Sequence, residues 1–178
     1  TAGLSRPMKI HDHNISKSIE LNIIGTANVV KACNKFKIKL IYISTGYVYE
    51  GTKGNYREED GVKPFNNYGW SKLGGECSVK MYNNSLILRV TMTEKPFNFK
   101  TAYTNLISNF MYHEDFVGIL PKLINKKGII NVGGKSQSIY KFAKSKNIKV
   151  KKARLKNSKK LPLLQSMNLR KLTSILKK

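Results

Sequence analysis

Three side chains in this chain could do chemistry together: Thr45, Tyr68 and Lys72. A hydroxyl, a phenol and an ammonium are suitable parts for moving a proton at a sugar or alcohol carbon. Tyr68 and Lys72 stand four residues apart, so on a helix they share a face. An ammonium beside a phenol stabilises the phenolate, which predicts a Tyr pKa drawn down from about 10. The spacing alone is weak support. With 28 Lys in 178 residues, each Tyr has roughly a one-in-six chance of a Lys four later. Tyr49/Lys53 and Tyr140/Lys144 repeat the pattern. Only Tyr68/Lys72 follows an apolar run that ends in hydroxyls, Ser44-Thr45, across a turn-rich loop.

The elements that must position these groups can be read around them. Residues 39–44 contain LIYIS, a run too short and too β-branched for a helix, and predict a buried parallel strand. Residues 46–67 are rich in Gly, Asn and Pro and read as loop. Residues 68–81 predict a helix, and SLILRV at 85–90 another buried strand. Upstream, 14–36 has helical periodicity, with Ile15, Ile19, Ile23, Ala27, Val30 and Cys33 on the core face. Asn22 falls on that helix, at a polar position that pattern alone places in solvent. Residues 1–7 read as a strand end or loop. Downstream, helical spacing is expected over 99–112, 116–125 and 138–146. GIINV at 128–132 reads as a short strand, 149–160 as irregular, and 161–178 as holding a terminal helix.

Composition narrows the class. The formal net charge is +23, yet only five of the 33 basic residues are Arg. Specific phosphate and base contacts favour Arg's planar fork, so no specific nucleic-acid partner is expected. No acidic residue follows Asp115, and 141–178 holds fourteen basic residues, so salt-sensitive attraction to polyanions is expected. Cys33 and Cys77 read as reduced thiols of a cytoplasmic protein. His11, His13 and His113 make no metal set, and no metal is expected. No apolar run reaches the roughly 18 residues of a membrane span. The start has no signal-peptide pattern and no initiator Met, and the chain is read as a partial one.

The block ISTGYVYEG…GNYREED…KPFNNYGWSKLGGE resembles the active-site region of the extended short-chain dehydrogenase/reductase family. Within it, the block is most similar to the dTDP-4-dehydrorhamnose reductase group of nucleotide-sugar reductases. TAGLSRP, NIIGTANVV, LILRV and IINVGG are weaker echoes of the same family. The resemblance implies an α/β fold: a partial Rossmann-like parallel sheet with helices in residues 1–90, plus a small substrate-binding part in 91–178. It implies that Thr45 hydrogen-bonds a sugar keto oxygen and that Tyr68 protonates it. Lys72 would lower the Tyr pKa and hold the nicotinamide ribose, and Asn22 would support a water relay. Tyr68, Lys72, Ser44 and Val90 would lie against the cofactor, NADPH or NADH. The implied reaction is reduction of a nucleotide-linked 4-keto-6-deoxy sugar. An epimerase or dehydratase of the same fold, a non-catalytic reductase-like subunit, and a homodimeric assembly stay open.

Three departures qualify the resemblance. No G-x-x-G-x-x-G loop follows a strand, and GGKS at 133–136 lacks P-loop spacing, so pyrophosphate has no helix N-terminus to sit on. Position 46 is Gly where many relatives carry Asp, and Gly46-Tyr47 replaces the acidic pair of the family's dehydratases, which argues against dehydration. With the first strands missing, an apolar sheet edge is expected to be open.

Overall fold

The computed structural model describes residues 3–145, 149–156 and 161–177. Helices α1 (Ile10–His13) and α2 (Ile15–Ile19) lead through a π-helical turn, Glu20–Ile24, into α3 (Gly25–Phe36). Strand β1 (Leu40–Thr45), a 3-10 turn (Gly46–Val48), helix α4 (Asn67–Lys80) and strand β2 (Ser85–Val90) follow. Four short strands come next: β3 (Met92–Thr93), β4 (Thr101–Tyr103), β5 (Ile107–Ser108) and β6 (Met111–Tyr112). Helix α5 (His113–Ile119), strands β7 (Gly128–Val132) and β8 (Gln137–Ser138), helix α6 (Ile139–Lys144), strand β9 (Lys151–Ala153) and helix α7 (Arg170–Leu176) complete the described chain.

The three runs that are apolar on both faces pair in parallel, in the order β1-β2-β7. Such strands need a helical layer on each side. On one face Tyr42 and Ile87 pack with Val79 of α4 and Val30 of α3. On the other, Leu86, Leu88, Val90 and Ile130 pack with Phe116 of α5 and Leu172 of α7. The fold is therefore α/β and Rossmann-like in its parallel sheet. Among the described residues β1 pairs only with β2 and forms an edge, as expected. The register also places three polar residues in one row across the α4 face, Ser44 opposite Arg89 and Arg89 opposite Asn131.

Helix α4 crosses the 15–36 helix at Gly74-Gly75. A Cβ on Gly75 would lie 2.7 Å from the Asn22 carbonyl oxygen and would also meet the Tyr42 hydroxyl. Glycine lets the two backbones meet where any side chain would hold them apart.

Several expectations are corrected. The segment 99–112 is not helical but carries β4, β5 and β6, each paired with a remote partner: β9, β8 and β3 respectively. The segment 149–160 is not wholly irregular, since β9 lies in it; residues 157–160 are outside the described chain. Ile15 and Ile19 do not face the core but are 55% and 42% exposed. The π turn after them adds a residue to the helix and rotates the face by about 100°. Ile23, within the π turn, and Val30, beyond it, stay half-buried. The helix expected over 116–125 starts earlier, at His113, and tightens to a 3-10 turn at Leu120–Lys122. Helices α6 and α7 fall within 138–146 and 161–178; Lys146 and Lys178 lie outside the described residues, as do Thr1 and Ala2. Gly3 to Pro7 is loop.

Candidate active site

Parallel strands all end on one side, and ligands of α/β folds bind outside those carboxyl ends. Thr45 is the last residue of β1 and pairs in register with Val90, the last of β2. The Thr45 hydroxyl accepts a hydrogen bond from the Tyr47 amide at 3.2 Å and stands near enough to the Tyr68 phenol to favour its ionised form. Tyr68 stands in the first turn of α4, which Asn66 caps by accepting from the Gly69 amide at 2.7 Å. The Tyr68 ring is clasped by two others. His11 lies 5.1 Å away, tilted, and Tyr47 stands edge-on at 6.1 Å.

Burial pushes the Tyr68 phenol up to about 12, against the opposing pull of the Thr45 hydroxyl and, more weakly, of Arg6. This differs from the lowered phenol that its spacing from Lys72 predicts. The Lys72 ammonium stands 4.1 Å over the Tyr42 ring instead. A shared helix face brings Cβ atoms together, but the long Lys stem reaches past Tyr68 to the aromatic face of β1, where a cation is attracted. The Tyr42 hydroxyl in turn donates to the Lys72 carbonyl at 3.1 Å. Burial lowers Lys72 to about 8, and Glu76 pulls it partly back. At neutral pH Tyr68 therefore holds a proton to give, and Lys72 remains mostly an ammonium.

Asn22 is 1% exposed, not the solvent-facing position its helix pattern suggests. Its amide donates to the Ser71 hydroxyl at 2.9 Å and the Leu4 carbonyl at 2.8 Å, and its oxygen accepts from the Leu4 amide at 2.7 Å. Both amide hydrogens are engaged, so this side chain ties the N-terminal segment and the π turn to α4. The Ser44 hydroxyl is buried with no hydrogen-bond partner. A Cβ on Gly46 would stand 2.8 Å from the Thr91 hydroxyl and 3.2 Å from the Met167 sulfur. Those two side chains fill the volume that an Asp at 46 would need.

Five residues of the site escaped sequence reasoning. Arg6 pairs with Glu94 at 2.8 Å and its field reaches Tyr47 and Tyr68. His11 is 1% exposed, and burial holds its imidazole below the ordinary value, hence neutral at pH 7. Nothing in the local sequence marks Arg6, His11 or Tyr47. Arg89 and Glu76 could have been found, because a charge inside the apolar run SLILRV demands a buried partner. Among the described residues no grouping of His, Cys, Asp and Glu could hold a metal ion, and no helix is long and apolar enough to cross a membrane.

Residues 11–110 match the family model described as the RmlD substrate binding domain. The chain belongs to this family. A dTDP-4-dehydrorhamnose reductase of Aggregatibacter actinomycetemcomitans is 30% identical over 110 residues, 60% of this chain and 36% of the relative. Methionine adenosyltransferase 2 subunit beta of Bos taurus is 40% identical over 86 residues, 48% of this chain and 25% of the relative. The chain thus spans about a quarter of the length of that subunit. The crystal structure of a Bacillus anthracis dTDP-4-dehydrorhamnose reductase in complex with NADP superposes with a TM-score of 0.82 at 25% identity. That match covers 97% of this chain and 71% of the reductase. Membership in the RmlD substrate binding family agrees with the resemblance carried by the Leu40–Glu76 block.

Proposed function

We propose that the protein carrying this chain is an NAD(P)-dependent reductase of a nucleotide-linked 4-keto-6-deoxy sugar, with its catalytic residues in 1–90 and substrate contacts in 91–178. The supporting observation is the placement of Thr45 beside the Tyr68 phenol at the carboxyl end of the parallel sheet, in a chain of the RmlD substrate binding family. The residues present fit the nicotinamide end of a dinucleotide: the unpartnered Ser44 hydroxyl, the half-buried Lys72 and the strand-end Val90. No glycine-rich loop in the chain serves the pyrophosphate. Bound NADPH or NADH would supply hydride to C4 of the sugar. Thr45 orients the keto oxygen, and Tyr68, protonated at neutral pH, donates to it. Lys72 provides a cation beside the ribose, and Asn22 holds the turn behind it.

The test is oxidation of NADPH or NADH, followed at 340 nm, with dTDP-4-dehydrorhamnose and the full-length protein. Tyr68→Phe lowers kcat by on the order of 10² or more while the fold is kept. Wild-type turnover in that variant refutes the assignment. An epimerase would return the cofactor unchanged, so net consumption separates the two chemistries.

The 40% identity to methionine adenosyltransferase 2 subunit beta favours a second reading, a reductase-like subunit without turnover. Under it the partner is a methionine adenosyltransferase, association with it survives Tyr68→Phe, and no sugar-dependent cofactor oxidation occurs.

A further inference from the structure

Arg89 sits in the middle of the polar row that crosses the sheet, with its side chain 5% exposed and that of Glu76 4% exposed. Two parallel hydrogen bonds join them, Nε to Oε1 at 3.0 Å and Nη2 to Oε2 at 2.9 Å. The third nitrogen, Nη1, donates to the Tyr49 hydroxyl at 2.8 Å and the Glu58 carbonyl at 3.2 Å. The Tyr49 hydroxyl donates on to the Asn131 side-chain oxygen at 2.8 Å, and the Asn131 amide group to the Tyr56 carbonyl at 2.9 Å. One charge pair therefore binds β2, β7 and the 46–66 loop to α4. Its attachment on α4, Glu76, is one turn beyond Lys72, on the same helix face.

We infer that the Glu76–Arg89 pair is the positioning device for Lys72: it fixes the depth and rotation of α4 against the sheet at the turn next to the lysine. A buried pair is weak evidence for stability, since apolar residues of similar volume serve as well. What apolar residues cannot supply is a charge one turn from Lys72. The ionisable groups that face Lys72 are Tyr42 of β1 and Glu76 of its own helix; the adjacent helix brings only the uncharged Thr26 against Tyr42. Glu76 is the charge that opposes the effect of burial on Lys72. Arg89 grips that carboxylate through both of its oxygens. Neither residue touches the reacting atoms. The inference takes the importance of Lys72 from the reductase reading, but the placement of the ammonium can be measured without any substrate.

The experiment titrates the Lys72 amine in the folded protein, by the pH dependence of its acetylation with acetic anhydride and peptide mass spectrometry. Three proteins are compared with wild type: Glu76→Gln, Glu76→Asp, and the double variant Glu76→Met with Arg89→Met. Wild-type half-reaction is expected near pH 8. Glu76→Gln, which leaves the Arg89 guanidinium without its carboxylate, shifts it down by on the order of one unit, whereas Glu76→Asp, which keeps the charge, does not, and the double variant, which removes both charges together, shifts it less. The double variant melts close to wild type yet loses on the order of tenfold in kcat with KM for the sugar unchanged. A Glu76→Gln variant that folds and titrates Lys72 as wild type does overturns the inference, leaving the pair a fold element. Failure of both Glu76→Gln and the double variant to fold overturns it equally, because the pair would then serve folding rather than Lys72. Absence of turnover in wild type defeats the reductase reading alone, since the amine titration still decides this one.

Discussion

Replacing glycine by alanine at two helical positions should move stability in opposite directions. At Gly75 the added methyl would come 2.7 Å from the Asn22 carbonyl oxygen and into the Tyr42 hydroxyl. Neither obstacle is a free side-chain end. One is backbone inside the π turn, and the other donates to the Lys72 carbonyl. Overpacking of this kind costs about 1–3 kcal/mol, and fixed obstacles place Gly75 at the upper end. Helix propensity returns about 1 kcal/mol, so a net loss of about 2 kcal/mol is expected. For a chain of this size that lowers Tm by about 4–8 °C. At Gly118, in α5, an added Cβ meets nothing within 4 Å. There only the propensity acts, and Gly118→Ala should gain about 0.5–1 kcal/mol. Thermal and urea unfolding of both variants against wild type make the comparison. A Gly75→Ala protein as stable as wild type would show that the two helices do not cross as closely as described.

Stability should also respond to pH through Lys72. Its folded pKa of about 8 lies below the ordinary 10.5, so between those values the unfolded chain binds more protons and stability rises with pH. Lys72→Met removes that rise, so the variant is more stable than wild type at pH 7 and the difference narrows from pH 8 to 10.5. A pH-independent difference would contradict the burial argument. Asn22→Ala frees the Leu4 segment from α4, and amide exchange should quicken at Leu4 while β2 stays protected; unchanged exchange at Leu4 would mean that other contacts hold the segment.

The parts of the fold legible in the sequence are those whose signal is local and redundant. LIYIS, SLILRV and GIINV are apolar on both faces, so their burial in a parallel sheet follows from composition alone. The block from Thr45 to Glu76 was legible because strand, turn and helix signals follow one another in order. The failures have physical causes. Between 99 and 112, apolar residues recur at helical spacing, but the segment is cut into strands by partners 19 to 50 residues away, which no local pattern reveals. Ile15 and Ile19 obey a 3.6 period that the π turn breaks. The predicted lowering of Tyr68 failed because spacing places Cβ atoms, not the end of a four-carbon stem. Arg6 and His11 reach Tyr68 across more than fifty residues of sequence, beyond what periodicity can report.

Met167 covers Gly46 and pairs with Tyr56 in an isolated parallel bridge. It leaves a ribosome more than a hundred residues after the loop it covers. A nascent chain can thus assemble β1 and β2 early, with the 46–60 loop still uncovered on one side. The loop acquires this wall only once Met167 is free. Thr45, Tyr68 and Lys72 are thus synthesised well before the side chain that covers Gly46.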